Sequence, residues 1–352
     1  MSTNRTQPDS FRFIAFRLGD QTFAIDADAV ISAHETGVVS SGGTFTYARE
    51  ELPVVKAADW LGIDDRGHDG RGHFIIIRGP QKHLALQIRG ISRSLRIPAS
   101  DSRPLPPPLD RLVAERYTAI LKWSAAVHDH GEKEIVWDSK REEKREELFL
   151  LMNHEAFLRD PASQATLSLP APETASSTEA NTESTTDSST QIPSGTQRPA
   201  QLEQALKQRL FLFSPALKSQ GERPFSFGIS AAQVMEVCRL LPIVPVPGAS
   251  GHVAGVINWR DEIVPVLRMA EMIGLEGVGA AKAQRLLIAI APNGHDLVAV
   301  QVLSDIRTRQ FPMAQVPQPL QNAIVSRYLH GSYEFEHETL VMPNLKSMLR
   351  LA

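Results

Sequence analysis

Short apolar runs and period-two alternation dominate the chain, with lengths and bounding turn residues that predict β-strands. Phe13-Ile14-Ala15-Phe16 opens one such series and Phe211-Leu212-Phe213 another. Phe74-Ile75-Ile76-Ile77 and Leu84-Ala85-Leu86-Gln87-Ile88 follow in the first, Leu286-Leu287-Ile288-Ala289-Ile290 and Leu297-Val298-Ala299-Val300-Gln301-Val302 in the second. Between the last two lies Pro292-Asn293-Gly294-His295, whose Asn-Gly pair suits the left-handed backbone of a tight hairpin turn. Gly79-Pro80 holds that place in the first series. A longer hairpin is predicted over 252–259 and 262–267, where Pro265 implies an edge or a bulge because proline cannot donate to the ladder. One short helix follows in each half, at 56–61 and 268–273, closed by Gly62 and Gly274 as C-terminal caps. Many short strands with few helices predict an all-β architecture of small barrels.

The two series are copies of one another. A constant displacement lays Leu52-Pro53-Val54-Val55-Lys56-Ala57-Ala58-Asp59-Trp60-Leu61-Gly62-Ile63 over Val264-Pro265-Val266-Leu267-Arg268-Met269-Ala270-Glu271-Met272-Ile273-Gly274-Leu275. Apolar falls on apolar, base on base, acid on acid, Pro on Pro and Gly on Gly. A displacement one place shorter lays Pro106, Pro108, Leu109, Arg116 and Tyr117 over Pro317, Pro319, Leu320, Arg327 and Tyr328. Near the ends Asn153 matches Asn344 and Leu158 matches Leu349. The smaller displacement there marks an insertion in the first copy, placed in the charged stretch 139–147. Matched blocks in constant order indicate a duplicated domain.

Between the copies the composition changes. The forty residues from Pro161 to Ala200 hold eight Ser, eight Thr, five Pro and no aromatic. Such a stretch buries too little apolar surface to offset the entropy of ordering itself, and reads as a flexible linker. The expected organisation is therefore one domain at 11–160, a linker at 161–204 and a second domain at 205–352.

Composition narrows the chemistry. The 352 residues are 42% hydrophobic, enough for real cores. A formal charge of −3, from 37 basic and 40 acidic side chains, argues against nucleic acid as a partner. The single cysteine, Cys238, excludes an intrachain disulfide and a multi-cysteine zinc site, and its apolar context reads as a small buried residue. No apolar run reaches the length of a membrane span, and the polar start has no apolar leader core, so direct membrane insertion is not expected. His68 and His73, and His128-Asp129-His130, lie in polar or Gly-rich loops that do not converge as a metal site requires. The glycines of Gly274-Leu275-Glu276-Gly277-Val278-Gly279 lack the Gly-Lys-Ser/Thr ending of a phosphate loop. No catalytic or cofactor motif is present, and neither an enzyme nor a cofactor is expected.

One set of residues carries a family likeness. Val244-Pro245-Val246-Pro247-Gly248-Ala249, His252-Val253-Ala254-Gly255-Val256-Ile257-Asn258-Trp259-Arg260 and Ile263-Val264-Pro265-Val266-Leu267 closely resemble the CheW family. Phe225-Ser226-Phe227-Gly228-Ile229 through Val237 resembles that family's second strand and the short helix leading to its Val-Glu segment. The likeness spans nearly all of 208–352. The first half is similar more weakly, as a degenerate copy.

The resemblance implies a fold of two tandem CheW-like domains, each a pair of five-stranded SH3-like barrels. It also implies a non-catalytic, cytoplasmic adaptor that couples chemoreceptors to a CheA-type histidine kinase, associated with membrane-bound receptor arrays. Its implied partners are that kinase, the cytoplasmic tip of a methyl-accepting chemoreceptor, and other CheW-like proteins. The implied receptor-facing residues are Val234, Glu236, Val256, Asn258, Trp259 and Arg260. A guanidinium suits this role because its rigid fork of donors matches a carboxylate or carbonyl. Trp259 reads equally as a core filler or an exposed anchor.

Three departures bear on the site. Trp259 replaces the family's Leu, Asp261 its Gly, and Arg268 the acid of the Val-Ile-Asp segment. An acid directly beside Arg260 stands to neutralise it. In the first half the arginine slot is Ala48, with Arg49 one residue late. The interval from Val30 to Leu52 is also eight residues shorter than that from Val234 to Val264. These departures motivate an alternative role, a structural or localisation scaffold without direct kinase coupling.

Overall fold

In the computed structural model the chain is described over residues 10–34, 39–40, 43–64, 72–80, 82–124, 146–159, 207–215, 225–273, 283–312, 326–335 and 338–350. The linker expected at 161–204, Gly274, His68, the 128–130 histidines and residues 139–145 of the charged insertion lie outside them.

The first half opens with β1 (Ser10–Leu18), β2 (Gln21–Asp26), β3 (Val30–His34), β4 (Thr44–Tyr47) and β5 (Glu50–Lys56). Helix α1 (Ala57–Leu61) leads to β6 (His73–Ile77), β7 (Leu84–Ile88), β8 (Gly90–Pro98) and β9 (Ser102–Arg103). Helix α2 (Leu109–Leu112), β10 (Tyr117–Ser124), β11 (Glu146–Met152) and α3 (His154–Arg159) complete it. The second half has β12 (Lys207–Pro215), β13 (Phe225–Ser230), β14 (Val234–Arg239), β15 (Val253–Trp259) and β16 (Glu262–Leu267). Then come α4 (Met269–Met272), β17 (Arg285–Ile290), β18 (Leu297–Pro312), β19 (Leu329–Phe335), β20 (Glu338–Pro343) and α5 (Leu345–Met348).

Strand order confirms the duplication. The first half forms one sheet in the order β8-β1-β2-β11-β10-β9 and another in the order β3-β6-β7-β5-β4. The second half repeats them as β18-β12-β13-β20-β19 and as β14-β17-β18 joined to β16 and β15. Neighbours are antiparallel except at matching places, β2 with β11 and β5 with β7, then β13 with β20 and β16 with β18. Strand β18 runs unbroken through both barrels of its half, whereas the first half divides the same path into β7 and β8. The all-β, paired-barrel expectation holds.

Local chemistry explains several elements. Gly62 caps α1 in the left-handed region at φ 68°. Gly294 takes φ 76° in the predicted turn, where the Asn293 side chain accepts hydrogen bonds from the His295 and Asp296 N–H groups. Pro265 sits just before the β16–β18 ladder begins at Val266, so its missing donor falls where that side of the strand is unpaired. Two expectations need correction. The short helix ahead of Val234 is only a turn over 231–233. The Arg-Tyr match also slips by one place: Asn153 N–H donates to the carbonyl of Arg116, but Asn344 N–H donates to that of Tyr328. Tyr328 therefore belongs to the 3-10 turn ahead of β19, and Leu329 stands where Tyr117 does.

Each half places an arginine on the first sheet to clasp a strand three places along it. Arg93 on β8 meets Glu147 on β11 at 2.6 Å, with its guanidinium 3.8 Å above the Trp123 ring. Arg307 on β18 meets Glu338 on β20 at 3.1 Å in the corresponding positions. Beneath them Phe13, Leu95, Leu121 and Phe149 pack in the first half, and Leu210, Leu212, Phe311 and Leu340 in the second. Each such buried side chain contributes about 1.5–3 kcal/mol.

The hairpin of β15 and β16 is pressed under the incoming 244–249 segment. Val244 and Val256 exchange both backbone hydrogen bonds, at 2.8 and 2.9 Å. The adjacent Gly255 has φ 148°, and a Cβ there would lie 2.3 Å from the Val244 carbonyl oxygen. Gly255→Ala is therefore expected to destabilise the second half by about 2 kcal/mol or more, read as a lowered denaturation midpoint in urea.

Candidate functional site

The turn between β15 and β16 consists of Arg260 and Asp261, both in the left-handed region at φ 50° and 68°. Two consecutive residues of this kind form the tight turn whose twist matches that of the flanking strands. Asp tolerates the conformation that the resembled family meets with Gly, so the departure at Asp261 is accommodated by the backbone. The first half makes the same turn with Ala48 and Arg49, at φ 47° and 72°.

The turn sends its two side chains to different partners. Arg260 meets the Glu236 carboxylate at 2.8 Å, and the Trp259 indole N–H donates to the same oxygen at 3.0 Å. The Arg260 guanidinium also lies 4.9 Å from the centre of the Trp259 ring. One carboxylate on β14 thus fixes a buried indole and an arginine whose side chain remains 70% exposed. The sequence-based expectation that Asp261 would neutralise Arg260 is not met. Asp261 reaches instead to the Lys122 ammonium on β10 of the first half. This contact draws the Asp261 carboxyl below its ordinary range and raises the Lys122 ammonium above its own.

The six sequence-identified residues divide by position. Arg260 is exposed, and Glu236, Asn258 and Val234 are half-buried. Trp259, only 8% exposed, is a filler of the outer core whose polar edge is satisfied by Glu236. Val256 is fully buried and offers no surface, which corrects its assignment to the contact face: its strand position points into the barrel beneath the 244–249 segment. Cys238 on β14 is half-buried rather than enclosed, and burial followed by the charge of Glu236 raises its thiol pKa.

Asn258 is already engaged. Its amide donates to Glu146 on β11 of the first half at 2.7 Å. Close by, the Tyr117 hydroxyl donates to the Pro247 carbonyl at 3.2 Å, and burial pushes that phenol strongly upward. Arg116 packs so closely on Gly248 that a Cβ there would lie 1.8 Å from its guanidinium. The β10–β11 face of the first half thus receives the hairpin and the preceding loop of the second.

The CheW-like domain model matches residues 12–127 and again 217–352. The chain belongs to the CheW-like domain family. The first match stops at 127, just ahead of the insertion, yet β11 beyond it still fills the gap between β2 and β10. Among solved structures the chain is similar to the scaffolding protein TtCheW from Thermoanaerobacter tengcongensis, at 19% identity and a TM-score of 0.32. That similarity covers 39% of this chain and 88% of the other. No curated protein matches the chain.

Sequence reasoning missed three features of this CheW-like site. Met235, 51% exposed, and Leu240, 44% exposed, lie in and just after β14, an edge strand. Met235 falls at a register shift between Val234 and Glu236, so period-two reasoning assigned it no face. The pairing of Lys122 with Asp261 joins distant segments and leaves no local signal. Among the described residues no cluster of side chains could hold a metal ion, and no helix is long and apolar enough to cross a membrane.

Glu236→Ala leaves the Trp259 N–H without its acceptor and is expected to cost about 1–3 kcal/mol in equilibrium unfolding. Lys122→Glu places like charges at the contact between domains. Small-angle scattering from the full chain should then show a larger radius of gyration than wild type.

Proposed function

We propose that the chain is a non-catalytic adaptor of a bacterial chemosensory pathway, coupling chemoreceptors to a CheA-type histidine kinase through protein–protein contacts. It works in the cytoplasm at membrane-bound receptor arrays. The observation that carries this reading is the exposed Arg260, held by Glu236 and stacked near Trp259 at the hairpin of a CheW-like domain. A guanidinium fixed in this way loses little further entropy when it meets a carboxylate or carbonyl on a receptor tip. Met235 and Leu240 supply apolar surface on the neighbouring edge strand.

The first domain lacks this arrangement. Ala48 occupies the arginine position, and the segment equivalent to 244–249 is shortened. Its role in the adaptor is to hold the second domain's hairpin from the side. Because that contact engages Asn258, a second reading has support: a localisation scaffold in which CheW-like domains organise partners without driving the kinase.

Full-length wild type is expected to bind both the kinase and the receptor cytoplasmic fragment of its own organism. Arg260→Glu should weaken receptor binding by about tenfold or more and reduce receptor-dependent kinase activation, with an unchanged circular dichroism spectrum. Binding without any effect of Arg260→Glu on kinase activation would favour the localisation scaffold. Failure of the wild-type chain to bind either protein would overturn the adaptor reading.

A further inference from the structure

The contact between the two domains occupies part of the surface assigned above to a receptor. The Asn258 amide donates to Glu146 on β11 at 2.7 Å. The Lys122 ammonium on β10 meets Asp261 and, at 3.7 Å, Glu146. Arg260 lies between Asn258 and Asp261 in the chain, yet its side chain stays 70% exposed. A protein partner buries about 800 Å² on each side, far more than one guanidinium offers. A partner that reads Asn258 together with Arg260 therefore needs the ground held by β10 and β11.

The polar part of this contact opens at low cost. Asn258 gives its amide N–H to Glu146, but its amide oxygen is buried without a donor. A buried acceptor left unpaired penalises the closed arrangement. The Asp261 and Glu146 side chains are 74% and 47% exposed, so water and salt weaken their attraction to Lys122. Tyr117 and Arg116 hold Pro247 and Gly248, in the loop that leads into the hairpin, and leave the tip to the charges. Because both domains are on one chain, the contact is intramolecular and re-forms without a second molecule.

We propose that the first domain is an intramolecular gate on the second: docked, it covers the receptor-facing hairpin, and a receptor binds by displacing it. The inference rests on the adaptor reading and adds a regulator to that site. Lys122 and Glu146 close the gate from the first domain, and Asn258 and Asp261 receive them on the second. The first domain's own turn has Ala48 in the place of Arg260, so only one hairpin of the chain is gated. A receptor that must compete with a docked domain binds with its affinity reduced by the fraction of molecules that are open.

The affinity of the full chain for the receptor cytoplasmic fragment tests it, with wild type set against Lys122→Glu and Glu146→Lys. Lys122→Glu sets like charges at Asp261, and Glu146→Lys removes the acceptor of the Asn258 amide. Neither touches the clasp of Arg260 by Glu236. Each variant should bind the fragment about fivefold tighter or more, in step with a larger radius of gyration and an unchanged circular dichroism spectrum. The two changes alter net charge in opposite directions, so a gain shared by both cannot come from electrostatic steering. Opened variants that bind no more tightly than wild type would overturn the gate alone. So would variants whose radius of gyration does not change. Absence of binding by wild type and by both opened variants would overturn the adaptor reading, and the gate with it.

Discussion

A two-residue turn with both residues in the left-handed region organises the candidate contact face of the second domain. Arg260 and Asp261, although neighbours in sequence, take different partners from this turn. Arg260 folds back over Trp259 to the Glu236 carboxylate, and Asp261 projects to Lys122 on the other domain. The same backbone conformation therefore supports the exposed arginine and the contact between domains. Burying Trp259 further requires an acceptor for its N–H, and Glu236 meets that need together with the arginine's charge.

Duplication kept the framework and altered the surface. Sheet orders, parallel pairings, the Arg–Glu clasp and the left-handed hairpin turn occur in both halves. These features are constrained by packing, since each buried strand must present the same face to the same neighbour. The outward positions were free to diverge, and did so by charge: Arg260 against Ala48 and Asp261 against Arg49. Divergence of this kind lets one fold provide two surfaces that fit each other.

Several elements were legible in the sequence because their signals are local. The β15–β16 hairpin, both short helices and the Asn293-Gly294 turn follow from alternation, caps and turn residues. Other elements were not. Arg307-Thr308-Arg309-Gln310 in the second half of β18 and Ser92-Arg93-Ser94 in β8 resemble loop composition, and their pairing with β12 and β1 makes them strands. Val256 was assigned to a contact face by family resemblance, which does not disclose that the 244–249 segment covers it. The slipped Arg-Tyr match reflects a preference for identical residue types over strand register, which only the backbone hydrogen bonds reveal.

By itself the sequence determined that the chain holds two related all-β copies, and that the second retains the motifs of the CheW-like family. Those properties reside in periodicity, composition and short motifs, which act over a few residues. The tertiary structure decided which charges meet. The partners of Arg260, Asp261 and Asn258 come from β14, β10 and β11, distant in sequence and assembled only when the sheets close and the domains dock. Electrostatic pairing depends on distance in space, and the chain order of a duplicated β protein does not disclose it.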